Sequence, residues 1–160
     1  MAKMKKFEII VSDEKFFISG SSEYIFTLIY IECDGICFPD NKWTDFTFDV
    51  LSMWEYQLLD AKKNKSFILY FMDGPFRMDV FMDNNMQLTI NCVNERGPED
   101  TVIMTMQCSY FEFLEVYVDA INKFKEVLYL HKQHITSYSN CIKYLSGVQA
   151  KMRNILKNQI

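Results

Sequence analysis

The longest strand-like stretch in this 160-residue chain is Ser66–Cys108, SFILYFMDGPFRMDVFMDNNMQLTINCVNERGPEDTVIMTMQC. Apolar and polar residues alternate along its last three apolar runs. This period of two is typical of strands with one buried face and one solvent-exposed face. Turn residues separate the runs, at Asp73 to Pro75, at Asn84-Asn85 and around Gly97. The pattern predicts a four-strand antiparallel meander, residues 66–108, with helices on its apolar face.

Further strands are predicted upstream of the meander, between residues 5 and 32. Phe7–Val11 and Lys15–Ser19 have strand-like composition and are expected to pair with each other across a short turn. Tyr24–Glu32 is apolar on both faces, which is typical of an interior strand. Cys33–Lys42 has the glycine, proline, aspartate and asparagine of a loop.

Three helices are predicted where apolar residues recur every three or four positions. The first, residues 43–63, has carboxylates in its first turns, where the positive end of the helix dipole favours them. The second, residues 110–132, follows the capping box Ser109 to Glu112, and the third spans residues 137–157. These elements predict an α+β fold: a single domain, residues 1–160, with a mostly antiparallel sheet of six to seven strands and three helices on one face.

Composition predicts a cytoplasmic protein without a membrane partner. The longest apolar run, Tyr24–Ile31, is much shorter than the roughly 20 residues of a membrane span. The apolar segment Phe7–Val11 is too short for a signal peptide. Five scattered cysteines fit a reducing compartment better than a disulfide framework.

Charge is distributed unevenly, although the net charge is only -4. Residues 1–6 carry three lysines, residues 7–119 carry 20 acids against 7 bases, and residues 120–160 carry 7 bases against one acid. A nucleic-acid partner requires a cationic face, so the acidic body argues against one. It favours a basic protein partner, although a solvated acidic surface without a partner produces the same bias.

Residue types used in metal binding and catalysis are present, but their spacing does not support either function. The paired histidines lie near a helix end among lysines, and the cysteines lack a Cys-x-x-Cys spacing. Asp73, Asp79 and Asp83 flank a hairpin of the meander, and positions in turns or on a solvated strand face account for them without catalysis. We therefore predict no metal, no cofactor and no catalytic residue. The residues concerned are His131, His134, Cys33 and Cys37 for a metal, and Asp73, Asp79 and Asp83 for catalysis.

A loop and helix start that gather carboxylates around an indole form the main candidate for partner binding. Charges steer a basic partner, while an aromatic side chain supplies an anchor. The alternative for Trp43, a staple into the core, stays open, as does dipole complementation for the two aspartates of the helix start. The candidate residues are Glu32, Asp34, Asp40, Trp43, Asp45 and Asp49. The secondary candidates, on the polar face of the meander, are Arg77, Asp79, Gln87, Asn91 and Gln107.

Three segments, Trp43–Phe46, Val50–Trp54 and Tyr70–Phe76, resemble stretches of small bacterial immunity proteins that neutralise polymorphic or contact-dependent toxins. The resemblance implies a cytoplasmic protein that binds a cognate toxin domain tightly and blocks its active site or its substrate surface. An acidic inhibitor suits a nuclease, because the site of a nuclease must be basic to hold phosphate. Two other functions stay open: a ligand-binding or enzymatic domain with a pocket between meander and helices, and a self-associating structural subunit.

Overall fold

The computed structural model of this protein describes residues 7–21 and 23–159. The lysines of residues 1–6, and with them the start of the region 5–32 predicted to contain strands, lie outside the described residues. The strands are β1 (Glu8–Ser19), β2 (Tyr24–Cys33), β3 (Ile36–Phe38), β4 (Thr44–Phe46), β5 (Ser66–Tyr70), β6 (Phe76–Met82), β7 (Gln87–Asn94) and β8 (Thr101–Ser109). The helices are α1 (Thr47–Leu59), α2 (Ala61–Asn64), α3 (Tyr110–Leu130) and α4 (Tyr138–Lys157).

The described strands form two antiparallel sheets rather than one. In sheet 1, β2 is central and pairs with β1 on one side and with the short β3 and β4 on the other. Sheet 2 is the meander, in the order β5-β6-β7-β8. The predicted α+β class and the meander are therefore confirmed, whereas the expected six to seven strands become eight and the expected three helices become four.

Two strand predictions in sheet 1 were wrong. The segments 7–11 and 15–19 do not pair with each other: both belong to β1, and both pair with β2 on either side of a bulge between Ser12 and Phe17. The stretch predicted to be a loop contains β3, which forms a hairpin with β2. Asp34 and Gly35 at its tip both have positive φ, at 51° and 81°, as a two-residue hairpin turn requires.

The first predicted helix also begins later than its apolar pattern indicated. Residues Thr44–Phe46 form β4 because their backbone pairs with Phe26–Leu28 of β2, and α1 starts at Thr47. Long-range pairing has overridden the local helical periodicity here. By contrast, Ser109 and Glu112 form the predicted capping box at the start of α3.

A single core joins the inner faces of both sheets to α1 and α3. Two fully buried tyrosines fix α3 against α1: Tyr110 donates its hydroxyl to the carbonyl of Leu58 at 2.7 Å, and Tyr117 donates to the carbonyl of Leu51. Burial raises the pKa of Tyr110 to about 12, so this donor keeps its proton. The helices thus cover the inner faces. On the outer face of sheet 1 Leu28 and Tyr30 are buried as well, whereas Tyr24 of the same strand is exposed.

The start of α4 is held by a carboxylate from the other end of the chain. Glu23 accepts hydrogen bonds from the backbone N–H groups of Thr136 and Ser137, each at 2.8 Å, and from the Ser137 hydroxyl. These bonds, led by the one from the hydroxyl, lower the pKa of Glu23 from 4.5 to about 2. The carboxylate therefore ties the residues just before α4 to the turn before β2.

We predict an acid-dependent contribution of Glu23 to stability. Because folding lowers its pKa, the contribution is complete above pH 4.5 and is lost as the pH falls to about 2. Glu23→Gln should lower the free energy of unfolding by about 1 kcal/mol near neutral pH, and the difference from the wild type should shrink in acid. Urea unfolding across this pH range measures it, with the exposed Glu115→Gln as control; a difference independent of pH contradicts the prediction.

A candidate partner-binding face on sheet 1

An aromatic row crosses the outer face of sheet 1. Phe17 of β1 lies opposite Phe26 of β2, which in turn lies opposite Phe46 of β4. The ring centroids of Phe17 and Phe26 are 5.8 Å apart, and those of Phe26 and Phe46 are 4.2 Å apart. Tyr24 packs edge-on against Phe46 at 5.6 Å. We call these four residues the aromatic row.

The aromatic row is open to solvent. Phe17 is 58% exposed and Tyr24 47% exposed, while Phe26 and Phe46 are half-buried. Exposed aromatics clustered on one sheet face are more informative than single exposed apolar residues, because aromatic side chains dominate the binding energy of protein interfaces.

Carboxylates lie toward the other end of the same face. Glu32 follows Phe26 on β2 by an even number of residues, so both side chains stand on the outer face. Glu8 of β1 is its partner across the strands. Asp34 is exposed in the β2–β3 turn, and Asp40 is exposed in the loop after β3. Three of the predicted partner-binding residues therefore lie at the same end of sheet 1: Glu32 on the outer face, and Asp34 and Asp40 in the connections beside it. We call these three residues the carboxylate edge.

Two other members of the predicted acidic set, Trp43 and Asp45, lie elsewhere. Asp45 is fully buried, and its carboxylate accepts hydrogen bonds from four N–H groups. Trp43 Nε1 (3.1 Å) and the backbone N of Met72 (3.0 Å) bond to Oδ2, the backbone N of Phe46 (2.7 Å) bonds to Oδ1, and the backbone N of Asp73 bonds to both. Burial raises the pKa of Asp45, and these bonds act in the opposite direction. This carboxylate joins the start of α1 to the β5–β6 turn inside the protein.

Trp43 is half-buried beside Asp45 and packs against the β5–β6 turn. Its ring lies edge-on to Phe76 at 5.1 Å. Gly74 has a φ of +118°, and a Cβ at this position would lie 3.0 Å from Cη2 of Trp43. The geometry corresponds to the alternative in which Trp43 packs into the core, and its indole N–H is already engaged by Asp45.

Asp49, the last member of the set, lies in the first turn of α1 and is half-buried. It lines a cavity together with Tyr24, Phe48 and Tyr144. Burial raises the pKa of Asp49 above its ordinary value. The predicted set thus divides into the surface residues Glu32, Asp34 and Asp40, the hydrogen-bonded pair of the half-buried Trp43 and the buried Asp45, and the cavity residue Asp49.

The secondary candidates share the outer face of sheet 2, where Arg77 forms an ion-pair cluster. Arg77 bonds to Asp79 through Nε at 2.9 Å, to Asp100 through Nη2 at 3.0 Å, and to Glu95 through Nη1. The guanidinium is only 16% exposed, and these carboxylates, Asp79 first, raise its pKa. Its contacts hold the β7–β8 connection against β6, which makes Arg77 a structural anchor as well as a surface residue.

The remaining secondary candidates lie on neighbouring strands of the same face. Asn91 accepts a hydrogen bond from the Thr105 hydroxyl at 2.8 Å. Gln107 lies opposite Thr89 in the β7–β8 ladder, and Gln87 is exposed at the start of β7. The register therefore brings all five secondary candidates onto one surface, as the strand periodicity predicted.

Among residues 7–21 and 23–159, no group of three or more histidine, cysteine, aspartate or glutamate side chains is arranged to hold a metal ion. None of the five cysteines forms a disulfide. Cys92 and Cys108 are buried, as their strand phase predicted, and burial raises the pKa of Cys92 to about 12. Asp83 accepts the backbone N–H groups of Asn85 and Gln87 and so shapes the β6–β7 turn.

Comparisons with known proteins give no further indication: no protein-family model, no curated protein and no solved structure matches the chain. Across the described part of the chain, no helix has both the length and the apolar character needed to cross a membrane.

The aromatic row is the feature that sequence reasoning missed. Its members lie on three strands, and only the pairing of β1, β2 and β4 brings them together. A signal was present in the Tyr24–Glu32 stretch, whose apolar residues on both faces predicted coverage on both sides. The structure buries Leu28 and Tyr30 of the outer face as this pattern predicted, but it leaves Tyr24 exposed and Phe26 half-buried.

Proposed function

We propose that this protein binds a basic protein partner, a cognate toxin domain, and neutralises it by forming a tight complex in the cytoplasm. The observation that carries the proposal is the outer face of sheet 1, where the exposed aromatic row lies at one end and the carboxylate edge at the other. The resemblance to immunity proteins and the acidic charge of residues 7–119 point to the same class of partner.

The two parts of this face have different roles in the proposed complex. Phe17 and Tyr24 offer rigid apolar area that becomes buried on binding and slows dissociation. Glu32, Asp34 and Asp40 attract a basic partner over a longer range and raise the association rate. A nuclease domain is the preferred partner, because a phosphate-binding site is basic and an acidic inhibitor is complementary to it.

The test is complex formation with the toxin encoded beside this gene. The purified protein and the catalytic domain of that toxin are mixed at micromolar concentration, and binding is measured by isothermal titration calorimetry together with toxin activity. The proposal expects a stable complex and loss of toxin activity. Absence of any complex at this concentration overturns it.

We predict that Phe17→Ser and Tyr24→Ser each weaken the complex by about tenfold or more, equivalent to about 1.4 kcal/mol, mainly through faster dissociation. Phe81→Ser is the matched control, because Phe81 is similarly exposed but lies on the outer face of sheet 2. Surface plasmon resonance separates the two rates. If Phe81→Ser weakens binding and the other two variants do not, the secondary candidate face of sheet 2 is the contact surface and the assignment to sheet 1 is wrong.

A further inference from the structure

A cavity of about 350 Å³ lies between the start of β2 and the amino-terminal ends of α1 and α4. Tyr24 of the aromatic row forms one side of it, so the cavity adjoins the proposed partner-binding face. Phe48 and Tyr144 line it as well, with ring centroids 5.5 Å apart. The Tyr144 hydroxyl donates to Glu55 at 2.6 Å, which fixes the ring in place.

Two carboxylates line this cavity, and their environments differ. The Glu23 carboxylate already accepts three hydrogen bonds from Thr136 and Ser137 at the start of α4. Asp49 makes no hydrogen bond or ion pair with any residue that the structure describes, although it is half-buried. The positive end of the α1 dipole compensates only part of the desolvation of this carboxylate, since burial still raises its pKa, and a cation beside it would add a direct ionic contact.

The chemistry of the lining favours an organic cation over other ligands. Aromatic rings attract cations through their π faces, and a carboxylate adds a direct ionic contact. No lysine or arginine lines the cavity, and the two carboxylates disfavour an anion. A neutral apolar group would leave Asp49 unpaired.

We infer that this cavity accepts a basic side chain, lysine or arginine, of the protein partner, with Asp49 as the ionic contact and Tyr24, Phe48 and Tyr144 as the aromatic walls. The inference rests on the proposed function for the source of the cation, and it names the position where a basic partner is anchored. A partner lying on the aromatic row reaches the cavity at Tyr24, which belongs to both.

The test uses small probes, so it does not depend on knowing the partner. Butylguanidinium and butylammonium reproduce the ends of arginine and lysine, and butylurea is a neutral analogue of butylguanidinium. Titrations followed by two-dimensional amide NMR should show saturable shifts at Tyr24, Asp49 and Asn140 with the cations and not with butylurea. Equal shifts with butylurea show that the cavity selects apolar ligands and overturn the inference.

Asp49→Asn should weaken binding of the cationic probes by about tenfold and change the melting temperature little, because Asp49 makes no hydrogen bond or ion pair with a described residue and its interaction with the α1 dipole is offset by its partial burial. Asp119→Asn, an exposed aspartate on α3, is the matched control and should bind as the wild type does. Unchanged affinity in Asp49→Asn overturns the inference. If the probes fail to bind while the toxin complex forms, the cavity assignment is wrong and the proposed function stands. If the probes bind but no toxin complex forms, the proposed function is wrong and the cavity assignment stands.

Discussion

Asp45→Asn should lower the free energy of unfolding by about 1–3 kcal/mol, a sizeable part of the roughly 5–15 kcal/mol typical of a domain. The Asp45 carboxylate is fully buried and accepts hydrogen bonds from four N–H groups. Asparagine replaces one acceptor oxygen with an NH2 group. In either orientation of the amide, the NH2 group faces N–H donors. The hydrogen bonds that remain are weaker, because the acceptor no longer carries a negative charge.

Asp73→Asn is the matched control for this prediction, because the Asp73 side chain is exposed in the same turn and only its backbone N–H contacts Asp45. It should change the free energy of unfolding by less than about 0.5 kcal/mol. Urea unfolding followed by circular dichroism measures both variants. Similar small losses in the two would mean that the four donors find other acceptors and that Asp45 is not the anchor of the β5–β6 turn.

The role of Asp45 could not be predicted from its position in the chain. Locally it resembles a carboxylate at the start of a helix, and that was one of the two interpretations that the sequence favoured. Its donors Met72 and Asp73 lie 27 and 28 residues further along the chain. Only the packing of α1 against β5 brings them to the carboxylate, so no local pattern marks the contact.

The three segments on which the expected resemblance to immunity proteins rests, residues 43–46, 50–54 and 70–76, meet in the folded chain. Trp43 and Asp45 of the first segment contact Met72, Asp73 and the Phe76 ring of the last through the hydrogen bonds and the aromatic contact described above. Residues of the first and last segments are therefore used in contacts that hold the fold together. The surface proposed to bind a partner is built from other residues, the aromatic row and the carboxylate edge, of which only Phe46 belongs to these segments.

The regular elements of the fold were predictable because their signals are local. The meander follows from alternation between turns, and α3 follows from its capping box and apolar stripe. The division into two sheets was not predictable, because it depends on which strands pair. The Asp34-Gly35 turn was a local signal for β3 that the loop composition around it concealed.

The sequence also left open whether Met53 or Trp54 belongs to the buried stripe of α1. Trp54 is fully buried, packs edge-on against Phe71 at 5.4 Å, and donates its indole N–H to the carbonyl of Tyr70 at 2.8 Å. Met53 is 37% exposed. The indole therefore fixes the phase of α1 and binds the helix to β5 at the same time.

Trp54→Ala should lower the free energy of unfolding by about 3–5 kcal/mol, because it opens a large cavity and leaves the Tyr70 carbonyl without its donor. Trp54→Phe keeps an aromatic ring in the core but removes the hydrogen bond, so its cost of about 1–3 kcal/mol reports the unpaired carbonyl and the smaller ring. Met53→Ala, the neighbouring control, should cost less than about 1 kcal/mol. Urea unfolding followed by far-ultraviolet circular dichroism avoids the change in tryptophan fluorescence. Equal losses in Met53→Ala and Trp54→Ala would mean that α1 packs in a different rotational phase, and the cavity beside Asp49, which depends on that phase, would then be lost as well.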